Sequence, residues 1–158
     1  MIRQATLNDA EGIFRVHTSA IRNVAFTHYT PEQIEAWAGR LAPISYHKSI
    51  ESNVVFVAVD TEICGFSQLD PRSSVIKGVY VLASHVRRGF GSRLLLALES
   101  VAKAAGLLQL TLDASLNSVP FYEHAGYRRV RSGNHEFNSG VSIPCVVMCK
   151  ELVAYTEG

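Results

Sequence analysis

The stretch Val79-Tyr80-Val81-Leu82 … Arg87-Arg88-Gly89-Phe90-Gly91-Ser92-Arg93-Leu94-Leu95 decides the fold. An apolar run leads into a basic, glycine-containing turn, and the turn opens straight onto an amphipathic helix. Glycine lets the backbone approach a ligand with no Cβ in the way. The first N–H groups of a helix have no internal partner and point at whatever anion lies beyond them. Arg87, Arg88 and Arg93 add positive charge. Strand, basic turn and helix in this order form an anion cradle, and its natural ligand group is a pyrophosphate.

Working outward, the helix after Gly91 carries Leu94, Leu95, Leu98, Val101, Ala102 and Ala105 on one side, and Gly106 ends it. Leu107 to Asp113 reads as a strand, Ser118 to Ala125 as a short helix stopped by Gly126, and Tyr127 to Arg131 and Val141 to Lys150 as the last strands, joined through Asn138-Ser139-Gly140. Towards the N-terminus, Val75 to Leu82, Ile63 to Leu69 and Val54 to Val59 form a meander separated by Asp70-Pro71-Arg72-Ser73 and Asp60-Thr61-Glu62. Before it come a strand over Ile2 to Leu7 and a helix with Asn8 as N-cap and Glu11 reaching back, its apolar face Ile13, Val16, Ala20 and Val24. A second helix starts at Thr30-Pro31-Glu32-Gln33 with apolar Ile34, Trp37, Ala38 and Leu41, and a short helical piece follows around Tyr46 to Ile50. The order predicts an α/β mixed sheet with helices on both faces.

The chain has 158 residues, a formal net charge of +1 and 47% hydrophobic residues. Residues 1–158 read as one domain with a sizeable core. A near-neutral charge argues against a general nucleic-acid or membrane-surface binder, so the cradle's charge is local. No apolar run approaches the roughly 20 residues of a membrane span, and Met1 to Thr6 lacks a signal-peptide core, so the expected location is cytoplasmic. Three cysteines fit a reducing compartment better than a disulfide framework. No metal is expected: Cys145 and Cys149 have no second ligand pair, and His135-Glu136 lacks the second histidine of a zinc motif.

A Walker loop needs Gly-Lys-Ser/Thr where this turn has Gly91-Ser92-Arg93, and a dinucleotide fingerprint needs a glycine where Leu94 stands. What remains is an acyl-CoA cradle or a plain strand-to-helix turn. The run Asp113-Ala114-Ser115-Leu116-Asn117-Ser118-Val119-Pro120-Phe121-Tyr122-Glu123-His124-Ala125-Gly126-Tyr127 favours the cradle. Together the two stretches resemble the GNAT superfamily of acyl-CoA-dependent N-acetyltransferases. The family pattern Gln/Arg-x-x-Gly-x-Gly/Ala lies over Val86-Arg87-Arg88-Gly89-Phe90-Gly91, and the later Leu/Phe-Tyr-Glu-x-x-Gly-Phe/Tyr signature over Phe121 to Tyr127.

The resemblance implies a mixed, mostly antiparallel sheet of about seven strands with a splayed central pair. An acyl-pantetheine arm would fill the gap and pair with Val79, Tyr80 and Val81, where a backbone N–H near Val81 would also stabilise the oxyanion. The pyrophosphate would rest on the backbone N–H groups of Arg87, Arg88, Gly89, Phe90, Gly91 and Ser92. Tyr122 would lie beside the sulfur as general acid; a thiol near pKa ~8.5 and a phenol near ~10 suit such a transfer. The sequence departs from the family at Val86, where Gln or Arg is usual, and at Ser115, where Asn is usual, with Asn117 two residues on. Val86, Ser115 and Asn117 stay in the expected binding set.

Lys77 stands where many members carry a basic carboxylate. An amine of pKa ~10.4 must lose a proton before attack, at a cost of roughly 4.6 kcal/mol at pH 7. Candidates to take it are His28, Glu32 and Asp70. His17, His47, His85 and His124 show no partner pattern and read as surface residues. His28, Tyr29 and Trp37, opposite Asn138-Ser139-Gly140, are expected to wall the acceptor pocket. The implied reaction is direct acetyl transfer from acetyl-CoA to a small or amino-acid-like amine, with no nucleic acid or membrane partner and a homodimer allowed. The alternative is a non-catalytic acyl-CoA-binding regulatory module.

Overall fold

The computed structural model describes residues 1–153; residues 154–158 of the expected domain, and the side chains of Val24 and Phe26, lie outside the described part. Seven strands form one sheet: β1 (Ile2–Gln4), β2 (Val54–Asp60), β3 (Glu62–Asp70), β4 (Val75–Val81), β5 (Gln109–Ser115), β6 (Arg128–Glu136) and β7 (Ser142–Glu151). Their spatial order is β1-β2-β3-β4-β5-β7-β6. Every neighbouring pair is antiparallel except β4 and β5.

The helices α1 (Ala10–Val24), α2 (Pro31–Ala38) and α3 (Ser45–Ser52) cover one face, and α4 (Phe90–Ala104) and α5 (Val119–His124) the other. α4 presses Leu95, Leu98 and Ala102 onto Leu69, Ile76, Leu110 and Leu112. Its burial at every third or fourth position is what its leucine spacing predicts. α2 starts on the expected reciprocal cap: the Gln33 N–H donates to Thr30 Oγ1 at 3.2 Å, and the Thr30 N–H donates to Gln33 Oε1 at 2.9 Å.

α1 begins differently from the sequence reading. The cap lies at Thr6 and Asp9, ahead of a short 3-10 turn, and not at Asn8 and Glu11. Asp9 accepts from the Thr6 N–H at 2.8 Å and takes both Arg3 nitrogens, at 2.7 and 2.9 Å. The arginine's hydrogen bonds hold the Asp9 carboxyl below its ordinary range despite burial. β6 also runs further than expected, to Glu136. It is an edge strand exposed on both faces, so no buried alternation marks its end.

The β4–β5 contact creates the cleft. Their ladder is confined to Val75 with Thr111 and Ile76 with Leu112. Immediately afterwards β4 carries an extra residue against β3: Leu69 pairs with Ile76 and Gln68 with Gly78, so Lys77 bulges out. A bulge bends its own strand. Bending β4 at Lys77 turns it from β5 just where their pairing stops, and the sheet splays between Gly78–Val81 and Asp113–Ser115.

Candidate active site

The splay opens a cavity of about 550 Å³ with walls from both faces of the sheet. Val79, Tyr80 and Val81 line it from β4, and Ser115, Asn117 and Tyr122 from β5 and the segment after it. Val86, Arg87, Gly89, Gly91 and Ser92 line one end, and Trp37 with Ala20, Ile21 and Ala25 the other. Of the residues expected to bind the cofactor, Arg88 and Phe90 are not on the wall. Their side chains turn away: Phe90 packs with Ala58, Cys64 and Leu94, and Arg88 reaches Asp60 at 3.2 Å. Whatever these two offer a ligand is their backbone.

The turn has the backbone of an anion nest. Arg87 sits at φ 63° and Gly89 at φ 83°, two left-handed residues separated by one. Alternating handedness gathers successive N–H groups into one concavity. Left-handed backbone costs a residue with a Cβ roughly 1–2 kcal/mol, so something must hold Arg87 there. Gly89 caps α4 without any side-chain acceptor, which leaves the helix's first N–H groups for a ligand. Asp60, at the β2–β3 turn, braces the loop by pairing with Arg88 and with His85 Nε2, each at 3.2 Å. His85 is thus half-buried and paired, not the isolated surface residue the sequence suggested.

Tyr122 stands on the wall with its ring edge-on to Phe121 and Tyr127, at centroid distances of 5.0 and 5.7 Å. Burial raises its phenol well above the ordinary range, Tyr80 adds to the rise, and the Val79 backbone N–H partly offsets it. The hydroxyl therefore stays protonated and acts as a donor. Tyr127 behind it donates to Glu99 at 3.0 Å, and Lys150 donates to the same carboxylate oxygen and to the Ala125 carbonyl, both at 2.9 Å. This buried charge pair ties the end of α5 to α4 and β7. Asn117 Oδ1 is buried with no partner, an acceptor left for a ligand N–H or O–H. Ser115 donates to the Ser118 hydroxyl at 2.9 Å.

At the other end, Trp37 meets the cavity edge-on to Tyr29, ring centroids 5.7 Å apart. Tyr29 lies behind the wall, donating to the Pro144 carbonyl at 2.7 Å and accepting from the Leu116 N–H at 2.9 Å. It ties α2's entry to β7 and to the segment after β5. His28 is exposed, its ring against the Thr27 hydroxyl at 2.8 Å, and it is not on the wall. Neither is Glu32 nor Asp70, and Asp70 is held by Arg72 at 3.3 Å.

The carboxylate on the cavity wall is Asp113, which sequence reasoning passed over. The signal was there: Leu110, Leu112 and Ala114 face α4, so Thr111, Asp113 and Ser115 face the other way. Asp113 and Lys77 are the first residues past the last β4–β5 pair, and both line the cleft without forming an ion pair among the described residues.

His17 is a further surprise. Its Nδ1 lies 2.8 Å from the Tyr46 hydroxyl, its ring 4.3 Å from that of Tyr80, and its Nε2 is sealed off without a partner. Burial, with help from the Arg40 charge, pulls it down to about 3, so it is neutral at physiological pH. The sequence reading had it on the surface.

Residues 25–152 match the model of the acetyltransferase (GNAT) domain. The chain belongs to the GNAT acetyltransferase family. Similar proteins include an uncharacterized N-acetyltransferase, YafP, of Escherichia coli K12, 28% identical over 131 residues that cover 82% of each chain. A GCN5-related N-acetyltransferase structure from Rhodopseudomonas palustris superposes with a TM-score of 0.90 at 28% identity, covering 96% of this chain and 95% of that one. The PaiA N-acetyltransferase of Thermoplasma acidophilum, in complex with coenzyme A, shares the fold at a TM-score of 0.73 and 19% identity, over 96% and 98% of the two chains.

This GNAT acyltransferase thus joins an anion nest and a donor phenol along one cleft, with an aromatic wall at its far end.

Proposed function

We propose that this GNAT enzyme transfers an acetyl group from acetyl-CoA directly to the amine of a small or amino-acid-like acceptor. One observation carries the reading: the β4–β5 gap runs from the left-handed Arg87–Gly89 turn, past Tyr122, to the wall at Trp37. The residues present fit the donor. The N–H groups of Arg87 to Ser92 would hold its pyrophosphate. Beyond Ile76, β4 has no ladder partner on its β5 side, so backbone groups of Val79 to Val81 are free to pair with a pantetheine amide. Asn117 Oδ1 offers a further acceptor. The coenzyme A in the PaiA crystal lends support to the same donor.

Acetyl-CoA supplies the activated thioester. Tyr122 donates to the sulfur as it leaves. Burial raises the phenol, and the same surroundings disfavour a thiolate, so the difference between donor and acceptor is smaller than either absolute shift suggests. Asp113 takes the ammonium proton, directly or through one water, at the acceptor end. This assignment replaces His28, Glu32 and Asp70, none of which reaches the cavity. The test is incubation with acetyl-CoA and a panel of amines, with products read by mass spectrometry. An acetylated amine supports the proposal; acetyl-CoA binding with no amine product contradicts it.

A further inference from the structure

Helix α1 turns an apolar stripe inward, with Ile13, Val16, Ala20 and Ile21 all buried. The first half of the stripe, Ile13 and Val16, packs on Val55, Val57 and Phe66 of the sheet. The second half meets the cleft. β4 turns from β5 beyond Lys77, and Ala20 and Ile21 line the space this opens. Ala25, just after α1, and Trp37 of α2 complete this end of the wall, and both are buried. Tyr80 packs against the same cluster and also lines the cleft. Its ring is held by Phe66 and His17, at centroid distances of 5.3 and 4.3 Å, and lies over Gly78, where a side chain would collide with it.

The charges of α1 and α2 point elsewhere. Arg22 and Glu35 pair with each other at 2.8 Å, and His28 and Glu32 are exposed and off the wall. Among the described residues, the carboxylate on the wall is Asp113, and the side chains with a fixed positive charge there are Lys77 and Arg87. The cleft therefore offers one acid for one ammonium, and beyond it a surface of methyl groups and rings. A second charge brought to Ala20 and Trp37 would leave water with no counter-ion to receive it. An apolar group brought there removes apolar surface from water on both sides. Alanine at position 20, where the stripe elsewhere carries Ile13, Val16 and Ile21, leaves room for such a group.

We propose that the Trp37 end of the cleft binds an apolar substituent of the acceptor, so that the substrates are monoamines with an alkyl or aryl body and not polyamines. The inference rests on the acetyltransferase reading above and names its substrate class. The amine faces Asp113, and its apolar body lies on Ala20, Ile21 and Trp37. Ring faces also attract cations, so a diamine is the rival occupant of an aromatic wall.

The experiment uses acceptors matched in length, one apolar and one charged at the far end: pentylamine against putrescine, hexylamine against cadaverine, and norleucine against ornithine. Wild type and Ala20→Leu are compared by kcat/KM. Leucine keeps the helix propensity of α1, and thermal melts with acetyl-CoA titrations show whether the variant is folded; Ala20→Val takes its place where it is not. Wild type should favour the apolar member of the pairs it acetylates by about tenfold or more, carried mainly by KM. From propylamine to pentylamine to hexylamine, kcat/KM should rise by about threefold per CH₂. Ala20→Leu should fill the space and cut the apolar preference by about tenfold. Acetylation of the charged members as readily as their matches, or only of amines outside these pairs, overturns the inference and leaves the acetyltransferase reading standing. A preference unchanged in the folded variant overturns the assignment to this wall. If no amine is acetylated, the parent reading falls and this one with it.

Discussion

Gly91 packs against Phe121: a Cβ built on Gly91 would lie 3.2 Å from Phe121 Cε2 and 3.8 Å from Val81 Cγ2. The two signature stretches therefore touch. The first residues of α4 approach the start of α5 so closely that a side chain at Gly91 would have to push the Phe121 ring aside by a few tenths of an ångström. The sequence reading places this glycine at the approach of a phosphate; the structure adds a packing contact with Phe121, while Gly91 still lines the cleft. Gly91→Val should overpack this contact and lower unfolding free energy by about 1–3 kcal/mol. Chemical denaturation of Gly91→Val, alone and with Phe121→Ala, measures it. Recovery of part of the loss in the double variant is expected; equal losses in both would place the clash elsewhere.

The brace at Asp60 is testable through ligand affinity. Asp60 joins Arg88 and His85 across the base of the nest, with all three side chains partly exposed. Asp60→Ala should free the turn and let Arg87 relax from its left-handed backbone. Because exposed pairs are worth only about 0.2–1 kcal/mol, the melting temperature should change little. Acetyl-CoA affinity should drop by roughly threefold to tenfold, since the nest must then be ordered on binding. Calorimetry with unchanged affinity would show that the turn is set by its own sequence.

Tyr122→Phe keeps the ring contacts with Phe121 and Tyr127 and removes only the donor. Turnover should fall by about 10²–10⁴, the range for acid–base catalysis, with a modest change in acetyl-CoA affinity. Full activity in the Phe variant would reduce Tyr122 to a packing residue.

The parts of this fold that were legible are those whose local rule and global role agree. The leucines of α4 and the Thr30 cap of α2 each obey one pattern, and tertiary contacts reinforce it. The extra residue at Lys77 breaks the rule of two-residue alternation, and only the register of β3 reveals it. Gly78, inside a β-branched strand, was the available hint. His17 escaped for the opposite reason. It sits on an ordinary helix, and its burial comes from Tyr46 and Tyr80, far away in sequence. The left-handed turn at Arg87 and Gly89 was readable because it is one contiguous stretch. The Trp37 end of the cleft is assembled from residues of α1 and α2 beside the β4 and β5 walls, and no single stretch carries its pattern.

His17 gives the protein an acid-sensitive term. Its ordinary value is 6.5 and the folded value is about 3, with burial the main cause and Arg40 second. Tyr46 and Tyr80 pack on the same ring. Below pH 6.5 the unfolded chain binds a proton that the folded one refuses, so stability is full above 6.5 and declines as pH falls towards 3. Between pH 7.5 and 5 this amounts to about 2 kcal/mol. The carboxyls of Asp9, Asp70, Glu35 and Glu62 are also held low, but they lose their contribution mainly below their ordinary 3.8 to 4.5, so at pH 5 the histidine dominates. Urea midpoints of wild type and His17→Phe at the two pH values test it. The wild type should lose stability at pH 5 and the variant should not; parallel losses would place the titration on another group.

The central claim is that the gap between β4 and β5 holds the donor with its sulfur beside Tyr122. A crystal structure of the complex with coenzyme A tests it most directly. The account predicts the pyrophosphate on the N–H groups of Arg87 to Ser92 and the pantetheine arm paired with Val79 to Val81. The sulfur should lie within about 4 Å of the Tyr122 hydroxyl, a reach suited to a hydrogen bond to sulfur. A coenzyme bound outside this gap, or with its sulfur turned away from Tyr122, would contradict it.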